Sequence, residues 1–152
     1  MKENRSNIII RECRESDIIE MLSMLASEGI YHSEDLYLLV YESYRDLILV
    51  AEKDEKIIAF VMGALSSEDS GRILVLFVRK EYRGLGIGRK LMEAVIKRFV
   101  TKYGVREISL EVHEKNLPAI KLYESLGFKK AKKLVGYYDG EDGWLMVKEV
   151  LP

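Results

Sequence analysis

Between Val78 and Arg89 the chain reads Val-Arg-Lys-Glu-Tyr-Arg-Gly-Leu-Gly-Ile-Gly-Arg, a turn with glycines at 84, 86 and 88 that joins an apolar run to an amphipathic one. The run before it, Ile73-Leu74-Val75-Leu76-Phe77-Val78, is short and rich in β-branched and aromatic residues, which predicts a buried strand. After it, Leu91, Met92, Val95, Ile96, Phe99 and Val100 recur at helical spacing with Glu93, Lys97, Arg98 and Lys102 between them, which predicts a helix starting near Gly86 or Gly88. Glycines at such a junction let ligand oxygens approach the backbone, and the unpaired N–H groups and dipole of the first helical turn attract a diphosphate. The junction therefore suits a pyrophosphate. It lacks the Lys-Ser/Thr of a triphosphate loop, and the order 84, 86, 88 is not the dinucleotide spacing G-x-G-x-x-G.

A length of 152 residues, with two prolines and no low-complexity tract, predicts a single domain over residues 1–152 with a substantial core. Twenty-four basic and 25 acidic residues leave a formal charge of −1, so the totals give no electrostatic case for a nucleic-acid or membrane partner. The charged start leads into only Ile8-Ile9-Ile10, too short for a signal peptide or a membrane span, and a cytoplasmic chain is expected, as a monomer or homodimer. Cys13 is the only cysteine, and His32 and His113 are the only histidines, so neither a disulfide nor a metal site is expected. Cys13 follows the strand-like isoleucines and reads as an ordinary strand-end residue rather than an acyl-carrying nucleophile.

The remaining elements follow from pattern. Ile8 to Arg11 predicts a strand, Ser16 a helix cap, and Ile18, Ile19, Met21, Leu22 and Leu25 an apolar stripe. Ser33 predicts the cap of a second helix carrying Leu36, Leu39, Val40 and Tyr44. Leu47–Glu52 and Ile57–Leu65 predict strands around the polar turn 53–56, and a second polar turn, 66–71, precedes the strand that ends at Val78. Ile108–His113 predicts a strand, Leu117–Leu126 a helix ended by Gly127, and Phe128–Val135 and Trp144–Val150 the last strands. The order β-α-α-β-β-β-α-β-α-β-β is α+β or mixed α/β.

Two stretches carry a resemblance. Arg83-x-x-Gly86-x-Gly88 resembles the (Gln/Arg)-x-x-Gly-x-(Gly/Ala) signature of the GNAT superfamily of N-acetyltransferases. The run from Leu110-Glu111-Val112 through Asn116, Ala119-Ile120 and Leu122-Tyr123-Glu124 to Gly127-Phe128 is similar, at every fixed position, to a strand-turn-helix of the members that modify protein amino termini. These include the ribosomal-protein alanine acetyltransferases. With the C-terminal segment the resemblance covers residues 73–150. It implies a GNAT fold, with a mostly antiparallel twisted sheet of about six or seven strands and about four flanking helices, splayed at the cofactor site. It implies acetyl-coenzyme A as co-substrate, with no metal. The backbone amides near Leu76, Phe77 and Val78 would meet the thioester carbonyl. Arg83, Gly84, Leu85, Gly86, Ile87, Gly88 and Arg89 would hold the pyrophosphate, and Asn116 and Tyr123 the pantetheine and its sulfur.

The chemistry gives these residue types their reasons. An α-amine titrates at about 7.7–8.0 and a lysine at about 10.4, so an acceptor amine is mostly protonated at neutral pH and a base must take its proton. The resemblance makes Glu111 that base, directly or through water, and Tyr123 the acid that protonates the departing thiolate. His113 lies on the same strand face at i+2 and is an alternate base. The plainer readings are an ion-paired strand glutamate, a core tyrosine, a half-buried histidine and, for Asn116, a helix cap. Gly136 to Met146 resembles the Tyr-Tyr…Gly-Glu-Asp-Ala…Met segment whose tyrosine holds an acceptor peptide, making Tyr137 and Tyr138 substrate-contact candidates. Glu28 and Tyr31 faintly echo the Pro-Glu-Asn-Tyr loop of related peptide sites. Arg79-Lys80 departs from the usual Asp-Pro, and Gly143-Trp144 from the usual alanine and smaller residue. Direct attack in a ternary complex on a protein amino terminus is the expected activity. The alternatives are a small amine (polyamine, amino acid or antibiotic) as acceptor, or a catalytically silent acyl-coenzyme A sensor.

Overall fold

The structure, a computed structural model, describes residues 7–150. Its elements run β1 (Ile9–Glu12), α1 (Asp17–Ala26), α2 (Glu34–Tyr44), β2 (Ile48–Lys53), β3 (Lys56–Ser67), β4 (Ser70–Val78), α3 (Ile87–Tyr103), β5 (Glu107–His113), α4 (Leu117–Ser125), β6 (Lys129–Tyr138) and β7 (Glu141–Glu149). The strands form a seven-stranded sheet in the order β1-β2-β3-β4-β5-β7-β6. The β1–β2, β2–β3, β5–β7 and β6–β7 ladders are antiparallel, and β4–β5 is parallel. Among the described residues no helix is long and apolar enough to cross a membrane, and no cluster of three His, Cys, Asp or Glu side chains is arranged to hold a metal.

The chain divides into two compact units, one of residues up to Ala64 with Leu74–Arg98, the other of Leu65–Ile73 with the residues from Phe99 onward. In the first, Met21, Met24, Leu25, Tyr37, Val40, Ile48, Val50, Phe60 and Phe77 share a core. Helix α1 contributes Ile18, Met21 and Leu25 to it as expected, but Ile19 faces solvent. Ser16 makes no side-chain cap; instead Asp17 accepts from the Arg14 N–H at 2.7 Å and from the Arg11 guanidinium at 2.8 Å. Helix α2 starts where predicted, with Ser33 Oγ accepting from the Leu36 N–H at 3.3 Å. Its expected stripe holds only in part: Val40 is buried as expected, but Leu36 and Leu39 are 47% and 61% exposed, and Tyr37 is buried in their place. A tyrosine removes more apolar area from water than a leucine, and its hydroxyl must then be satisfied. Tyr37 meets both conditions, edge-on to Phe60 and with its hydroxyl 2.7 Å from His32 Nδ1. Asp54 and Glu55 close the β2–β3 hairpin with φ of 50° and 63°, the left-handed pair of a two-residue turn.

In the second unit Phe99, Ile108, Leu110, Ile120, Phe128 and Met146 are buried. The turn expected over 66–71 shrinks to Glu68-Asp69, because β3 runs to Ser67 and β4 begins at Ser70. The last hairpin also pairs further than expected, β6 reaching Tyr138 and β7 starting at Glu141. It does so around a bulge. Leu134 pairs with Gly143 and Tyr138 with Glu141, so residues 135–137 lie opposite Asp142 alone. Gly136 takes a φ of +66°, and its N–H donates to Asp142 Oδ1 at 2.8 Å. Pairing resumes at Tyr138.

Candidate active site

Strand β5 alternates: Ile108, Leu110 and Val112 are buried, and Ser109, Glu111 and His113 stand on the other face. In the parallel ladder Arg72 is registered with Ser109, which puts it on the face of Glu111, and its guanidinium reaches along that face. Nε and Nη2 donate to Glu111 Oε1 at 3.1 and 2.6 Å. Both bonds end on one oxygen. The Glu111 side chain keeps 17% exposure and that of Arg72 41%, so the carboxylate is paired but still reachable by solvent.

Tyr138 sits in the fields of both residues. Its hydroxyl is pushed up to about 12, first by burial and then by Tyr137 and Glu111, with Arg72 opposing. The ring lies against His113, with centroids 5.2 Å apart, and meets Tyr137 edge-on at 4.9 Å. A Cβ on residue 143 would stand 2.4 Å from Tyr138 Cε2 and 2.7 Å from the Val112 carbonyl oxygen. Glycine at 143 thus has a structural cause: the Tyr138 ring occupies the space a methyl group would need. Gly143→Ala is expected to displace that ring and destabilise the chain by about 1–3 kcal/mol, measured as a lower midpoint of chemical unfolding.

Tyr123 lies on α4 with its ring edge-on to Phe128 at 6.0 Å. Burial, with Tyr138 adding to it, pushes its hydroxyl up to about 12, so it stays protonated through the neutral range. No buried side-chain N or O among the described residues lacks a hydrogen-bond partner. His113 is otherwise engaged. Its Nδ1 accepts from the Lys115 N–H at 3.0 Å, so a neutral ring carries its proton on Nε2, 2.9 Å from Glu141 Oε1. Neither ring nitrogen has a lone pair to spare. Lys115 Nζ holds the other Glu141 oxygen at 2.8 Å, tying the hairpin end to the β5–α4 turn. Asn116 takes the helix-cap position, Oδ1 accepting from the Ala119 N–H at 3.3 Å. Tyr137 is half exposed.

The glycine-rich turn belongs to the first unit. Gly84 and Gly86 have φ of +79° and +84°, and a Cβ at either would meet no atom within 4 Å. Open space beside two left-handed glycines is room for a ligand. Gly86 accepts the first bond of α3, from the Lys90 N–H at 3.1 Å, leaving the N–H groups of Ile87, Gly88 and Arg89 outside the helical ladder. Gly88 lies inside α3 and is not among the glycines with positive φ, so backbone shape does not require a glycine there. Arg83 is bound up with protein groups: Nε donates to the Val78 carbonyl at 2.9 Å, Nη2 pairs with Glu28, and the guanidinium carbon stands 5.6 Å from the Phe77 ring centroid. Arg83 thus anchors the start of the turn, and Glu28 meets it instead of standing free for an acceptor. Tyr31 is exposed. In β4 the burial set by Gly71 and Ile73 lapses over Leu74, Val75 and Leu76, all half-buried, before Phe77 is buried again. The β4–β5 ladder covers only Ser70–Arg72, so Leu76, Phe77 and Val78 lie beyond its end.

Cys13 is buried, Sγ 3.7 Å from Met21 Sδ, and burial followed by the charge of Asp17 pushes its thiol up to about 12. Such a thiol is not a nucleophile at neutral pH. Sequence reasoning did not single out Arg72, the partner of Glu111.

A mixed sheet of this order, with a glycine cradle opening α3 and a carboxylate and a protonated tyrosine on the β5–α4 unit, is the frame of an N-acetyltransferase. A family model described as the acetyltransferase (GNAT) family matches residues 16–128, and the chain belongs to that family. An N-alpha-acetyltransferase of Saccharolobus solfataricus is 38% identical over 119 residues, 70% of this chain and 71% of that one. A spermine/spermidine N(1)-acetyltransferase of Bacillus subtilis is 32% identical over 114 residues, 70% and 71% of the two chains. Among solved structures, Ard1 from Thermoplasma volcanium superposes with a TM-score of 0.88 at 26% identity, covering 96% of this chain and 99% of that one.

Proposed function

We propose that this chain transfers acetyl from acetyl-coenzyme A to the α-amine of protein amino termini, by direct attack in a ternary complex. The observation that carries the proposal is the grouping of Glu111, Tyr138 and Tyr123 on one unit: a solvent-reachable carboxylate and two protonated phenols. The 38% identity to an N-alpha-acetyltransferase supports the acceptor. One family match running across both units supports treating residues 1–152 as a single catalytic domain. The buried, unbridged Cys13 fits a reducing, cytoplasmic setting.

The donor fits the residues present. Gly84 and Gly86, open where a Cβ would stand, with the first-turn amides of α3, suit its pyrophosphate. The amides of Leu76, Phe77 and Val78 suit the carbonyl oxygen that gathers charge. Acetyl-coenzyme A supplies the activated acetyl group, whose carbon–sulfur bond breaks as the carbon–nitrogen bond forms. Glu111 takes the proton the amine must lose, and Tyr123 gives its proton to the departing sulfur. Tyr137 and Tyr138 offer hydroxyls to the acceptor backbone.

The identity to a spermine/spermidine acetyltransferase supports a polyamine as the second reading. The two separate in one assay, kcat/KM for short peptides with free amino termini beside spermidine and spermine, at saturating acetyl-coenzyme A. Peptides are expected to be the better acceptors. Acetylation of polyamines with no activity on any peptide would reject the proposed acceptor.

A further inference from the structure

We propose that Arg72 is a positioning residue for the transfer reaction, holding Glu111 by one oxygen so that the other is presented to the acceptor. The proposal rests on the reading of Glu111 as the base. A guanidinium usually grips a carboxylate with two parallel bonds, one to each oxygen. Here Nε and Nη2 both donate to Oε1, and none of the Arg72 bonds falls on Oε2. This arrangement pins one oxygen and leaves the other to receive a proton.

The backbone sets the geometry. Arg72 is the last β4 residue in the parallel ladder, opposite Ser109, and Glu111 is the next residue on the same face of β5. The side chain therefore reaches forward from the end of the ladder, and the bond direction follows from register. The charged and titratable groups facing Glu111 are Arg72 from β4 and Tyr138 from β6, with His113 two residues on along β5 held by Lys115 and Glu141. Arg72 is thus the cation that orients the carboxylate. Among the described residues, its half-exposed side chain makes no hydrogen bond beyond those to Glu111.

A double-mutant cycle separates orientation of Glu111 from general support of the fold. Arg72→Met keeps the aliphatic stem and removes both bonds. It is expected to lower kcat about 10- to 100-fold, the range that losing hydrogen bonds to a charged group implies, with KM for acetyl-coenzyme A and the unfolding midpoint unchanged. In a Glu111→Gln background the same substitution is expected to cost less than threefold, because there is no carboxylate left to orient. Full, additive loss in both backgrounds, or no loss in either while Glu111→Gln remains impaired, would overturn the role of Arg72 and leave that of Glu111 standing. A Glu111→Gln enzyme with full activity would overturn both.

Discussion

Gly86→Val should abolish acetyl-coenzyme A binding in calorimetry while the chain remains folded. The residue has a φ of +84°, where a β-branched side chain is strained by about 1–2 kcal/mol. That is small beside the ~5–15 kcal/mol that holds a domain of this size together. The added atoms meet no protein group within 4 Å of the Cβ, so their harm falls on whatever ligand approaches that space. Gly88→Ala provides the control for strain. Gly88 is already helical, and alanine there favours α3 by up to about 1 kcal/mol. Weaker binding in a protein at least as stable would trace the loss to the phosphate's approach rather than to the backbone. Unchanged affinity in both variants would remove the glycine turn from the cofactor site.

Glu111→Gln should lower turnover by about 10²–10⁴-fold, the usual contribution of a general base. The loss should be greatest at low pH, where more of the acceptor is an ammonium ion and there is more proton to remove. Glutamine preserves the shape and still accepts the Arg72 bonds at its carbonyl oxygen, so binding of acetyl-coenzyme A should be unaffected. The pH–rate profile of kcat checks the sign. His113 is a poor substitute, because its Nδ1 lone pair is occupied by the Lys115 N–H.

Local signals were the ones the chain announced. The glycine turn fixed the start of α3 at Ile87, Asn116 and Pro118 marked the start of α4, and Gly127, with a φ of +97°, ended it. Ser33 capped α2 as expected, yet the buried face of that helix was misread in part. Apolar residues lie on both of its sides, and only the three-dimensional core decides that Tyr37 and Val40 go inward while Leu36 and Leu39 do not. Strand β6 was underestimated only at its far end: Gly136-Tyr137-Tyr138 follows a register shift against β7, and a glycine there reads locally as a turn. Glu111 and Tyr123 were legible through the resemblance of their stretch; the structure pairs the first with Arg72 and packs the second edge-on against Phe128. Arg72 was not legible. Its partner is 39 residues away across a parallel ladder, and nothing local encodes the register of such a pairing. Arg83 and Glu28, expected on the pyrophosphate and the acceptor, bond to each other, a contact over 55 residues that neither local motif contains.

Direct transfer to an α-amine is tested with isotopically labelled acetyl-coenzyme A in two mixing steps. Incubated with the label alone, the protein should keep its unmodified intact mass, since the buried Cys13 thiol is not ionised near neutral pH and no acyl-enzyme is required. On addition of a peptide with a free amino terminus and an internal lysine, fragmentation should place the label on the α-amine. A labelled acetyl-enzyme that passes its acetyl group to the peptide, or label found only on the lysine side chain, would contradict the account.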